Sequence, residues 1–158
     1  MKKLLIAATV SGLFFASAAQ AGSSTGTMAV SASVTGTCKI TTAAGTLAFG
    51  AIDPSLVAAN VTTNTTFAYK CTTGTTPTSM SNNLGLNAGA GTQAKMVSGA
   101  NTLNYSVAFA AATLTAGTGF GTGSVATTIT ENGTIVAVDA QNAIAGTYTD
   151  TVTITLNF

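Results

Sequence analysis

Apolar and polar positions alternate along much of the chain, and the first clear case lies between Gly22 and Val34. From residue 28 every second position is apolar, and Ser31 and Ser33 stand between the later ones; the apolar set is Met28, Val30, Ala32 and Val34. A period of two is typical of a strand with one buried face. Small residues precede the pattern, so no local feature folds this strand back onto its own domain.

The stretch from Gly146 to Phe158 carries the longest alternation and is predicted to be a strand. Its apolar face is formed by Val152, Ile154, Leu156 and Phe158, and its other face by Thr151, Thr153, Thr155 and Asn157. Tyr148, at the start of this strand, suits the tyrosine corner that immunoglobulin-like sandwiches use. It equally suits an aromatic residue that pins a turn, and the pattern leaves both interpretations open.

Further strands are predicted around Cys38, over Asn60–Cys71 and over Leu103–Phe109, with a polar loop from Thr72 to Asn83. Glu131-Asn132-Gly133 lies between two β-prone stretches, and Asn-Gly is a strong hairpin signal. The glycines between Thr115 and Ser124 predict a flexible loop, because no Lys-Ser/Thr pair follows them as in a phosphate-binding loop. No helical period follows the first residues, so we expect an antiparallel two-sheet sandwich.

The order of these strands predicts an incomplete domain. The strongest core strand is the last one, and the surplus amphipathic strand lies at the opposite terminus. An unpaired edge beside residues 146–158 would expose backbone groups and apolar side chains. A neighbouring chain's residues 28–34 would cover both, which is strand addition between chains. Head-to-tail addition of this kind does not close, so it gives fibres.

The first 21 residues read as a cleaved secretory signal. Met1-Lys2-Lys3 is a basic start, residues 4–15 are largely apolar, and Ala19-Gln20-Ala21 is a small-x-small cleavage site. The apolar run is too short for a membrane span. The remaining 137 residues suffice for one domain, and no membrane insertion is expected.

Charge and composition exclude several classes of function. Without the signal the formal charge is −1, from Lys39, Lys70, Lys95, Asp53, Glu131, Asp139 and Asp150. No basic footprint for nucleic acid exists. The chain has no histidine, so the common general base is absent, and its four carboxylates are scattered. We therefore expect no enzyme activity, no catalytic residues, no cofactor and no metal.

Cys38 and Cys71 are the only cysteines, and the signal sends them to an oxidising compartment. An even count in an exported chain predicts one disulfide. A metal site would need more cysteine or histidine ligands than this chain has.

Three stretches resemble the spore coat protein U-like domain. They are the alternating residues before Cys38, the piece Leu47-Ala48-Phe49-Gly50-Ala51-Ile52-Asp53-Pro54, and Gly146-Thr147-Tyr148-Thr149-Asp150-Thr151-Val152-Thr153-Ile154-Thr155-Leu156. The resemblance covers nearly the whole mature chain, although its Gly/Thr-rich middle is not diagnostic. This family includes subunits of archaic chaperone–usher pili of Gram-negative bacteria.

The resemblance implies a six-stranded, incomplete immunoglobulin-like domain at residues 35–158 and a donor-strand segment at residues 22–34, with Val34 assignable to either. It also implies a periplasmic chaperone, an outer-membrane usher, and a thin surface pilus of repeated subunits that serves adhesion and biofilm formation. The expected donor residues are Met28, Val30, Ala32 and Val34, and the expected acceptor residues are Val152, Ile154, Leu156 and Phe158.

Three alternatives stay open from the sequence. They are a tip adhesin, a self-contained secreted sandwich that binds a ligand, and a coat or matrix protein that polymerises without a chaperone. A tip adhesin needs no donor strand and normally carries a further receptor-binding domain, so the pattern at residues 28–34 favours a shaft subunit.

Overall fold

The computed structural model describes residues 21–42, 45–88, 91–111 and 113–158. The chain divides into two units, with the boundary between Ser33 and Val34. In the first unit, residues 21–33 form no helix or strand, and all their side chains are exposed. In the described residues, all regular secondary structure lies in the second unit, Val34–Phe158.

Seven strands and one short helix form the described part of this second unit. The larger sheet has the order β1-β2-β6-β5-β4, and the smaller sheet pairs β3 with β7. All five ladders are antiparallel. The elements are β1 (Cys38–Thr42), β2 (Val61–Cys71), β3 (Ser79–Asn82), β4 (Ala94–Ser98), β5 (Asn101–Phe109), β6 (Thr127–Ile135), α1 (Ala137–Gln141) and β7 (Ile154–Asn157). The expected all-β antiparallel architecture is confirmed.

Two buried clusters form the core, one toward each end of the domain. The first surrounds the disulfide and consists of Cys38, Phe67, Tyr69, Cys71 and Ile129. The second lies beside the helix and consists of Ala94, Leu103, Tyr105, Ile135 and Ala140. Leu156 near the end of β7 packs on the first cluster, and Tyr148 packs on the second. We call these the disulfide end and the helix end of the domain.

The hairpin predicted at Asn132-Gly133 is wrong, because β6 runs through both residues without turning. Gly133 pairs with Thr63 of β2 on one side and with Val107 of β5 on the other. A Cβ atom at Gly133 would lie 2.6 Å from a methyl carbon of Leu47 and 2.9 Å from the ring of Phe49. Glycine is therefore needed here for close packing inside a strand and not for a turn.

The smaller sheet differs from the sequence-based expectation in two ways. Strand β3 occupies Ser79–Asn82, inside the stretch that was expected to be a loop. Regular strand structure in the last segment covers only Ile154–Asn157, although Thr149 forms an isolated bridge to Val97. The expected alternation is nevertheless present, since Val152, Ile154 and Leu156 are half-buried while the threonines between them are exposed.

The predicted disulfide is confirmed. Cys38 and Cys71 face each other in the β1–β2 ladder and are bonded, with both side chains buried. The glycine-rich loop packs beside this bond: the Gly119 N–H donates to the Cys71 carbonyl oxygen at 3.0 Å. A Cβ atom at Gly117 would clash with the same oxygen, so only glycine fits there. Gly119 thus attaches the loop to the end of β2, and Gly117 attaches it to Gly74 and Thr75, which follow that strand.

Candidate strand-binding groove

The smaller sheet is open along one edge of β7. This strand has β3 as its only strand neighbour in the described part of the chain. Asn83 and Thr78 of the β3 side donate to the carbonyl oxygens of Thr153 and Asn157. Because backbone groups of successive strand residues point to alternate edges, those of Ile154 and Leu156 face the open edge. An added strand would find hydrogen-bonding partners there.

A groove lies between the two sheets and follows the segment from Ala143 to Ile154. Its part near the helix end has a volume of about 700 Å³ and is lined mainly by apolar side chains, among them Phe49, Ile52, Met96, Leu103 and Ile135. Its other part has a volume of about 370 Å³ and adds Val107, Glu131, Val152 and Ile154 to the lining. Both parts are lined by Thr46, Leu47, Phe49, Met96 and Tyr148.

The structure places the four expected acceptor residues differently from one another. Val152 and Ile154 both line the groove. Val152 packs on the buried core at the helix end, and Ile154 packs on the buried core at the disulfide end. Leu156 packs on the disulfide-end cluster, and Phe158 is 54% exposed. The groove therefore draws its apolar side chains from the first two of these residues and from both sheets.

The apolar side chains of the four expected donor residues are exposed to solvent. Met28 is 84% exposed, and Val30 and Val34 are each 83% exposed. Ala32 is exposed as well. The segment thus has the alternation of a half-buried strand but no buried face of its own.

Polar groups lie along the groove, and each has a partner. The Tyr105 hydroxyl donates to Asp150 Oδ2 at 2.6 Å, and the Leu86 N–H and the Asn87 side-chain amide donate to Asp150 Oδ1. Glu131 is the one buried charged residue among the described positions, 4% exposed, and its Oε1 accepts from Asn82 Nδ2 at 2.7 Å. The Tyr105–Asp150 bond connects β5 of the larger sheet to the segment before β7. The Asn82–Glu131 bond connects β6 of the larger sheet to β3 of the smaller sheet.

Burial of the Tyr105 ring raises the pKa of its hydroxyl well above the ordinary value of 10.0. The hydrogen bond to Asp150 and the negative charges of Asp150 and Glu131 add to this rise in pKa. Tyr105 therefore stays a neutral donor at every pH at which the domain would work.

Tyr148 adopts the first of the two roles that its position suggested. Its hydroxyl donates to the Ile144 carbonyl oxygen at 2.7 Å, four residues upstream, as in a tyrosine corner. The ring is half-buried, packs on the buried core at the helix end and lines the groove. This contact fixes the start of the segment that leads into β7.

Sequence reasoning missed three contributors to the groove, namely the Leu47–Ile52 segment, Tyr105 and Glu131. Residues 45–52 form no regular structure and place Leu47 and Phe49 across Gly133. Glu131 falls on an inward position of β6 between two buried residues, and Tyr105 falls on an inward position of β5 between buried Leu103 and half-buried Val107. The inward period was the available signal for both.

No group of three or more histidine, cysteine, aspartate or glutamate side chains is placed to hold a metal ion in the described ranges. No helix in those ranges is long and apolar enough to cross a membrane.

The comparisons with known proteins agree with this architecture. In a search of the solved structures, the chain is similar to one in the crystal structure of the CsuC–CsuE chaperone–tip adhesion subunit pre-assembly complex from archaic chaperone–usher Csu pili of Acinetobacter baumannii. The TM-score is 0.53 at 22% identity, over 79% of this chain and 40% of that chain. No curated protein matches the chain. This likeness confirms the expected immunoglobulin-like pilin fold.

The family is shown by the sequence itself. A family model of the Spore Coat Protein U domain matches residues 24–155. The match includes most of the exposed N-terminal segment, the disulfide and residues 146–155, which lead into β7. The chain therefore belongs to the Spore Coat Protein U domain family.

Proposed function

We propose that this protein is the structural shaft subunit of a bacterial surface pilus and polymerises head to tail by donor-strand complementation. The Met28–Val34 segment of one subunit enters the groove of the next and pairs with the open edge of β7. The single observation that carries the proposal is the match between two features of one chain. An open groove lies beside an unpaired strand edge, and an alternating apolar segment has all its side chains exposed.

The energetics of such an exchange favour the polymer. Burying the donor side chains of Met28, Val30, Ala32 and Val34 contributes roughly 4 to 8 kcal/mol. Each main-chain hydrogen bond to the β7 edge adds about 1 kcal/mol net. A strand held in this way leaves slowly, so the fibre is kinetically durable.

The proposed route of assembly is supported by family membership and by the structural neighbour, which is part of a chaperone–subunit complex. Residues 1–21 direct export and are removed, a periplasmic chaperone covers the open groove, and an outer-membrane usher exchanges the chaperone for the next subunit. The product is an extracellular pilus that serves attachment and biofilm formation.

A tip position is the second candidate, because the structural neighbour comes from a complex that contains a tip adhesion subunit. A tip subunit only receives a donor strand, since no subunit lies beyond it. The exposed apolar alternation at Met28–Val34 has a use only in a subunit that also donates, and this favours the shaft.

The direct test is an unboiled denaturing gel of protein sheared from producing cells, beside a version that lacks residues 22–34. We expect a ladder of multimers that collapses on boiling and is missing in the truncated protein. A single monomer band in both lanes would show a self-complete domain and overturn the proposal.

A matched pair of substitutions isolates the donor face. Val30→Asp places a charge on the apolar face and should abolish the ladder, because an unpaired charge would be buried in the groove. Ser31→Asp places the same charge one position away, on the opposite face, and should leave the ladder intact. Equal ladders in both variants would show that Val30 does not enter a groove.

A further inference from the structure

We propose a second contact between successive subunits, made by exposed apolar clusters at opposite ends of the domain. The helix-end cluster of one subunit packs on the loop cluster of the next. The inference rests on the proposed function, since donor-strand exchange is what brings the two ends together.

The helix-end cluster consists of Leu56, Val136, Val138 and Ile144. Their side chains are 78%, 44%, 59% and 60% exposed. Leu56 lies in a turn held against α1, because Gln141 Nε2 donates to the Val57 carbonyl oxygen at 2.7 Å. Ile144 lines the mouth of the larger part of the groove. Four large apolar side chains thus stand exposed at the helix end of the described domain, and one of them, Ile144, also lines the groove.

The loop cluster consists of Phe120 and Val125, which are 45% and 71% exposed. Their loop is attached to the disulfide end through Gly117 and Gly119, which bond to residues 71–75. The chain enters β1 at the same end, since the Thr72 N–H donates to the Thr37 carbonyl oxygen at 2.8 Å. The loop cluster therefore stands beside the point where the donor segment leaves its own domain.

The direction of the donor strand decides which surfaces meet. Every ladder of the domain is antiparallel, and an antiparallel strand beside β7 also completes the immunoglobulin-like sheet. In that direction the Val34 end of the donor lies where the β7 segment begins, which is the helix end. The donor's own domain must follow at this end.

The connection between donor and domain is too short to allow any other neighbour. Val34 and Cys38 are separated by four backbone steps, which span about 14 Å at most. The disulfide end of the donating subunit is therefore held against the helix end of the accepting subunit. This places Phe120 and Val125 opposite the helix-end cluster.

The charges at the two ends are complementary. The helix end carries Asp53, beside the Leu56 turn, Asp139 in α1 and one lysine, Lys95 in β4, so its acidic residues outnumber its basic one. The disulfide end carries Lys39 in β1 and Lys70 in β2, and Lys70 Nζ donates to Ser124 Oγ at 2.8 Å, next to Val125. Opposite charges around two apolar clusters favour this pairing over contact between like ends.

Fibres of three single variants test the contact: Val138→Glu at the helix end, Val125→Glu in the loop cluster, and Ala108→Glu as the control. Ala108 is exposed on β5 and pairs with Asn132 in the middle of β6, between the two ends. All three variants should keep the heat-sensitive ladder. The persistence length measured on electron micrographs should fall by about twofold or more for the first two and stay unchanged for the control, because only they put a charge into an apolar contact.

A charge-reversal rescue gives the decisive result. Val138→Glu combined with Val125→Lys should restore fibre stiffness, whereas Val138→Glu combined with Ala108→Lys should not. Fibres of equal stiffness in all variants, with the ladder intact, would overturn this contact and leave donor-strand exchange standing. Loss of the ladder in the unmodified protein would overturn both proposals.

Discussion

The Tyr105 hydroxyl donates to Asp150 Oδ2 at 2.6 Å and so joins β5 of the larger sheet to the segment that leads into β7. The tyrosine side chain is 4% exposed, and its ring meets Phe49 edge to face at a centroid distance of 6.4 Å. Both residues line the smaller part of the groove. The bond therefore helps to fix the segment before β7 relative to β5.

Tyr105→Phe should lower the free energy of unfolding by about 1.5 to 3 kcal/mol, the usual contribution of a hydrogen bond to a charged group. Tyr148→Phe is the control, because that hydroxyl donates to a neutral carbonyl oxygen, and its loss should cost about 1 kcal/mol. Urea unfolding of the two variants measures the difference. Equal losses would mean that the Asp150 carboxylate adds nothing.

Alkaline pH should weaken the domain through the same tyrosine. The folded state raises the Tyr105 pKa above 10.0, so above about pH 10 the unfolded chain releases this proton while the folded domain retains it. The stabilisation is fully present below that pH and is lost as the pH rises further. Unfolding midpoints between pH 9 and pH 11 should therefore fall more steeply for the unmodified protein than for Tyr105→Phe, and parallel curves would contradict this.

The disulfide should make a large contribution to stability. It closes a loop with a sequence separation of 33 residues, and loop-closure entropy for such a length corresponds to about 3 to 4 kcal/mol. Replacing Cys38 and Cys71 together with serine should lower the urea midpoint by the corresponding amount. The reduced, unmodified protein should unfold at nearly the same midpoint as this double variant. An unchanged midpoint in both would show that the bond does not stabilise the domain.

Gly133→Ala should destabilise the domain, because the new methyl group would press on Leu47 and Phe49. Overpacking of this kind costs about 1 to 3 kcal/mol. Gly121→Ala is the matched control, since no atom lies within 4 Å of the position its Cβ would take. Unfolding midpoints of the two variants would contradict the packing role of Gly133 if they were the same.

The sequence predicted those parts of the fold that depend on local pattern. Alternation in the last segment identified the half-buried side chains of Val152, Ile154 and Leu156, and the cysteine count gave the Cys38–Cys71 bond. Both signals are local: a side chain on an alternating strand faces in or out by its parity, and two cysteines in an exported chain have one pairing.

Where several segments compete for one place, the local pattern was insufficient. Asn132-Gly133 has the composition of a turn, yet pairing on both sides by β2 and β5 keeps it extended. A third contact explains why residue 133 is glycine: the missing side chain makes room for Leu47 and Phe49. No window of sequence around Gly133 contains that information, because the two partners lie more than 80 residues earlier.

The sequence by itself determined the strand periods, the disulfide and the surplus apolar alternation at Met28–Val34, since each depends on neighbouring residues or on a count. The tertiary structure alone decided that the groove beside β7 is walled by Phe49, Tyr105 and Val107. It also placed Glu131 inside the sandwich, opposite Asn82. These features come from distant segments that meet only when the two sheets pack, and that packing is what creates the groove.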